Sequence, residues 1–262
     1  MSTQLLIYER AVAVNNQKHK DCSVKTGSNY DFAKNINSVP LTAIEFTNAT
    51  PEYSIVFAGS EDAVMPAVIL GFRDNENLYL ADDGKWNSQY IPAFIRRYPF
   101  IFSSSDDGKQ LSLCIDEEFT GLNKNGVGER LFDSEGEKTQ YLQRVLNFSS
   151  EYQGQFQRTQ TFSKKLKELN LLEPMHAQIT LATGKKMDLG GFQVVSRERL
   201  NKLTNKQIGS LVKSGELELI YLHLQSLRNF NTMVDRVTAN ETNGSGDKVE
   251  AEEKNNSEES LH

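Results

Sequence analysis

The sequence predicts an α+β fold in one compact body, and three patterns carry the prediction. Its first 120 residues are short apolar runs cut by turn residues, an antiparallel β-rich half. The middle is a long helical segment rich in Gln, Lys and Leu. The remainder returns to strands and then to helices.

In chain order, "AVILGFR" and "NLYLA" flank Asp74 and Asn75, and the tetrapeptide Asp-Asp-Gly-Lys recurs at Asp82–Lys85 and Asp106–Lys109. Asp before Gly suits a tight hairpin, because Gly accepts positive φ. "QLSLCID" alternates, with Leu111, Leu113 and Ile115 on one face. Ser134 and Glu137 have capping-box spacing, which predicts a helix start there. From Lys138 to Leu172 an apolar stripe runs through Leu142, Val145, Leu146, Phe156, Phe162, Leu166 and Leu169. Gly154 allows a division into two helices, and Pro174 ends the segment. Strands follow, with a turn near Thr183-Gly184 and a break at Gly190-Gly191. Thr204 and Gln207 form a second capping box, and Ser214-Gly215 closes that helix. A last helix from Glu216 to Val234 places Leu217, Ile220, Tyr221, Leu224 and Leu227 on one arc and should be largely buried.

These elements make one globular unit, residues 1–237. Residues 238–262 carry seven acids and two lysines and no Phe, Tyr or Trp, and are expected to be a disordered acidic tail. The tail accounts for −5 of the net charge of −6, which leaves −1 for the globular unit. A body so near neutrality has no field to recruit nucleic acid. The longest nearly apolar run, Ala63 to Phe72, is about half a membrane span, which argues against a permease. Glu9 and Arg10 interrupt the apolar start and no basic region precedes it, so no signal peptide is read there. Two cysteines, Cys22 and Cys114, offer neither a disulfide framework nor metal spacing, and fit a reducing, cytoplasmic compartment.

Patterns for known chemistry are absent. There is no Gly-x-Ser-x-Gly elbow, His-Glu-x-x-His pair or Walker loop; in "GLNKNGVG", Val127 stands where a Walker lysine belongs. No metal and no cofactor is predicted. His223, among Leu219, Ile220 and Phe230, reads as a hydrogen-bonded core histidine, and Cys114 as a packed thiol. His19 lies in the polar run "NNQKHKD". The stretch "WNSQYIPAFIRRYPF" holds the best candidates for a ligand or anion site: Trp86, Arg96 and Arg97, with His19 as a more distant fourth. With Pro92 as first helical residue, a two-turn helix puts Phe94, Ile95 and Tyr98 on one side and both arginines opposite. There they are either solvated or, if another segment covers them, a fork for an anion. Asp82, Asp83, Asp116 and Glu117 are the internal carboxylates that could clamp one of them.

The pieces "VPLTAIEF", "YSIVFAG", "ILGFRDNENLYLADDGKWNSQYIPAFIRRYPF", "RLFDSEGE", "LLEP", "GGFQVVSRERLNKL" and "LHLQSL", in this order and spacing, resemble the SapC family of bacterial proteins across nearly all of residues 1–237. Ser54 departs from the family's Tyr-Pro-Ile-type strand start. The family name is linked to bacterial surface layers and is shared with a peptide-transporter permease, so the resemblance implies no reaction. Residues and resemblance together predict a non-catalytic binding or accessory protein acting on a protein partner or a small anionic ligand. The alternatives are an enzyme or cofactor-using partner built on Trp86, Arg96, Arg97 and His19, and a surface-layer or envelope structural protein.

Overall fold

The computed structural model describes residues 6–27, 29–60, 63–104, 111–180, 184 and 186–239. Three antiparallel sheets organise them. The largest has the order β10-β11-β4-β5-β3 and takes β3 (Ser38–Pro40), β4 (Ile55–Ala58) and β5 (Met65–Ile69) from the N-terminal half. Its other two strands, β10 (Leu172–Thr180) and β11 (Lys186–Val195), follow the long helix. A second sheet joins β1 (Ala11–Ala13), β7 (Leu111–Asp116) and β6 (Phe100–Ser104), and a third pairs β2 (Ser23–Val24) with β8 (Leu122–Asn123) and β9 (Glu129–Arg130). Short helical turns are α1 (Asn16–His19), α2 (Phe46–Ala49) and α3 (Ala93–Arg96). The longer helices are α4 (Gln140–Glu168), α5 (Arg197–Asn201), α6 (Asn205–Lys213) and α7 (Glu216–Ser226), with α8 at 229–239. Antiparallel sheets, one long helix and C-terminal helices make the fold α+β.

The turn at Asp82–Lys85 forms, with Gly84 at φ +78° and an antiparallel bridge between Leu80 and Trp86. Its counterpart at Asp106–Lys109 lies outside the described residues, as do Thr183 and the tail from residue 240. Helix α4 starts later than its capping signal predicts. Asp133 instead accepts from the Glu135 and Glu137 N–H groups (2.9 Å each), closing a tight loop, and Thr139 caps the helix. Gly154 does not divide α4; about 1 kcal/mol of glycine penalty is small beside a helix docked at both ends. Pro174 sits inside β10, an edge strand, where its missing N–H breaks no ladder. Gly190-Gly191 is a bulge within β11 rather than a break: Met175 pairs with Phe192 and Ala177 with Leu189, and Gly191 takes φ +82°. The capping box at Thr204–Gln207 and the left-handed Gly215 appear as predicted. The last helix is broken at 227–228, and Tyr221 faces solvent while His223 and Ser226 face inward. In β7 the alternation fails: Leu111 is exposed, whereas Leu113 to Asp116 are covered on both faces.

His223 completes the main sheet. Strands β4 and β11 pair only at Gln193 and Phe57. Next to that pair the imidazole bridges them, its Nδ1 donating to the Ile55 carbonyl (2.9 Å) and its Nε2 accepting from the Val195 N–H (3.0 Å). The ring is fully buried, and burial pushes its pKa down from 6.5 to about 4, against the opposing pull of the Ile55 bond.

About 44 Å long at 1.5 Å per residue, α4 spans two separate cores. Leu142 near its start packs with Phe100, Ile115 and Leu131, and Phe162 and Leu166 near its end pack with Phe46 and Phe57. Its middle crosses the seam between them, where α3 lies.

Candidate functional site

Helix α3 is built on a buried carboxylate. Pro92 is the N-cap rather than the first helical residue, so the first free N–H belongs to Ala93. That N–H and the Tyr90 hydroxyl both donate to Glu45 Oε1 (2.7 Å each). Glu45 Oε2 accepts from the Thr42 N–H and hydroxyl at 2.9 and 2.7 Å. Four donors make a buried carboxylate tolerable here and tie α3 to the turn preceding α2.

The single turn of α3 separates the two arginines that a two-turn wheel places together. Arg97 is 6% exposed: α4 and Tyr8 cover it. Its guanidinium lies over Phe94 (4.3 Å), Tyr152 (4.9 Å) and Tyr8 (5.7 Å). Arg96 stays exposed, with Nε donating to the Ile91 carbonyl (2.9 Å) and its guanidinium over Phe148 (5.4 Å) and Tyr90 (5.8 Å). The four expected clamping carboxylates are occupied otherwise or exposed. Asp116 accepts from the Glu9 and Arg10 N–H groups (2.9 Å each), Glu117 pairs with Arg10 and Lys18, Asp83 pairs with Lys85, and Asp82 faces solvent.

Two clefts open side by side where α4 passes α3. The first, about 440 Å³, is lined by Arg96, Arg97 and Arg144, with Tyr98, Tyr141, Glu129 and Ser149 among its walls. The second, about 350 Å³, is lined by Glu45, Tyr90, Glu151, Tyr152 and Gln155, and shares Arg96 and Phe148 with the first. Both volumes suit a small ligand. Two α4 hydroxyls in these walls have no hydrogen-bond partner, Ser149 in the first cleft and Tyr152 in the second, and each residue is 6% exposed. Burial pushes the Tyr98, Tyr90 and Tyr152 hydroxyls up, and the Asp116 and Glu45 carboxylates add to the rise at Tyr98 and Tyr90. Tyr141 is pushed up to about 12 by burial, with Glu129 adding and Arg144 opposing. At neutral pH these phenols are donors.

The other two sequence candidates lie elsewhere. Trp86 lines neither cleft: its Nε1 donates to the Tyr53 hydroxyl (2.8 Å) and its ring meets Tyr30 edge-on. His19, expected in a polar loop, is buried and lines a third cleft of about 310 Å³ with Cys22, Glu117 and Lys18. Its Nδ1 lies 3.2 Å from both the Asn15 N–H nitrogen and carbonyl oxygen, and its Nε2 lies 3.4 Å from Glu117 Oε1. Both ring nitrogens therefore face groups other than the Cys22 thiol, which burial pushes up in pKa. A nucleophilic relay needs an imidazole nitrogen on the sulfur. Among the described residues, no three of His, Cys, Asp and Glu gather as metal ligands.

Of the sequence candidates, Arg96 and Arg97 line these clefts; Arg144, Ser149, Tyr141, Tyr152 and Glu45, which also line them, were not among the candidates. Tyr141, Arg144, Phe148, Tyr152 and Gln155 recur at helical spacing of three or four, so their shared face was readable. That this face meets α3 was not.

The fold and the recess thus define an α+β protein with an arginine-lined cleft between a long helix and a one-turn helix. The chain belongs to the SapC family, whose model, described as SapC, matches residues 14–233, a span holding Arg96, Arg97, Arg144 and Ser149. Neither a curated protein nor a solved structure matches it. No helix among the described residues is long and apolar enough to cross a membrane.

Proposed function

We propose that this SapC-family protein is a non-catalytic binding protein that takes a phosphate or carboxylate group, on a small ligand or a partner protein, into the arginine-lined cleft. One observation carries the reading: three arginines from two elements line one recess, beside a buried Ser149 hydroxyl that has no partner. A planar guanidinium presents paired N–H groups to two oxygens of a carboxylate or phosphate at once. Arg97, stacked and buried, supplies fixed charge, while Arg96 and Arg144 on the exposed rim supply contacts. We read the compartment as cytoplasmic, a reading supported by two free, buried thiols.

Calorimetric titration of inorganic phosphate and pyrophosphate into the full chain tests the proposal. Arg144→Gln should weaken binding tenfold or more, about 1.4 kcal/mol, with an unchanged melting temperature. No binding to wild type, or equal affinity in the variant, overturns it.

A further inference from the structure

We infer that the ligand is a zwitterion: a phosphate ester held by the arginine cleft, with a protonated amine a few bonds away in the adjoining cleft. This rests on the anion-binding reading above and names the chemistry at the far end of the same ligand.

The two clefts have opposite character. The first is lined by Arg97 and Arg144 against the single carboxylate Glu129. The second is lined by two carboxylates, Glu45 at its floor and Glu151 at its rim. Arg96 and Phe148 belong to both and are stacked on each other, forming the ridge between them. Behind that ridge the Tyr152 ring lies under the Arg97 guanidinium while lining the second cleft. A ligand crossing the ridge therefore passes from a positive recess to a negative one within one small-molecule length.

Tyr152 adds no charge to either cleft, because burial pushes its pKa up and keeps the phenol neutral. Glu45, with four donors already on it, supplies charge rather than contact, so Glu151 is the carboxylate that meets the amine.

Comparing 2-aminoethyl phosphate with ethyl phosphate isolates the ammonium, since both carry the same anionic group. By calorimetry, 2-aminoethyl phosphate should bind about fivefold more tightly, the upper end for one partly exposed ion pair. Glu151→Gln should remove that preference while leaving ethyl phosphate affinity unchanged, and Arg144→Gln should weaken both ligands alike. Equal affinities in wild type, or a preference that survives Glu151→Gln, overturn the zwitterion and leave the anion site standing. Failure of both ligands to bind overturns both readings. A co-sedimentation arm with phosphatidylethanolamine vesicles separates the sources of the headgroup. Capture that free 2-aminoethyl phosphate competes away assigns it to lipid, and binding of the free compound without capture assigns it to a soluble metabolite; either outcome supports the zwitterion.

Discussion

Replacing His223 with Leu removes a side chain that stands in for sheet hydrogen bonds. In its absence the Val195 N–H and the Ile55 carbonyl remain buried without their imidazole partner. Leaving a buried polar group unsatisfied costs about 1–3 kcal/mol, so two such groups set a loss of about 2–6 kcal/mol at pH 7.5. The wild type carries a second signature. The folded imidazole titrates at about 4 against 6.5 unfolded, so the unfolded chain binds the proton first as pH falls. Stability from this group is complete above pH 6.5 and is lost as pH drops through the window from 6.5 to 4. Between pH 7.5 and 5 the loss amounts to about 2 kcal/mol. Urea unfolding at both pH values reads the two effects together. The variant should be less stable at pH 7.5 and should close about 2 kcal/mol of that gap at pH 5. Parallel pH dependence in the two proteins, or a loss below about 0.5 kcal/mol at pH 7.5, would refute the bridging role.

The arginines should separate by stability. Arg97→Gln, which loses contact with three aromatic rings, should cost about 2–4 kcal/mol in chemical unfolding; Arg96→Gln should cost less than about 1 kcal/mol. Equal losses would show that Arg97 is no more structural than its neighbour. Removing residues 238–262 should shift the melting temperature by less than about 2 °C, because Val237 is the last buried apolar residue described. A larger drop would mean that the tail docks on the body.

Local chemistry in the sequence determined much of this molecule. The Thr204–Gln207 capping box, the left-handed Gly215 and the Asp82–Lys85 turn depend on residues within four positions of one another. The apolar stripe of α4 and the inward place of His223 follow from the helical period. Tertiary structure decided the rest. Gly154 stays helical because both ends of α4 are docked into separate cores, and Gly190-Gly191 becomes a bulge because β10 pairs on either side of it. Arg96 and Arg97 are adjacent in the chain and share one helix signal, yet only one is buried. What separates them is Tyr152, some fifty residues away and brought over α3 by a helix spanning both cores. A local pattern specifies which face a residue occupies. Whether that face meets water or another element depends on packing between segments far apart in sequence, and at this seam packing made the cleft.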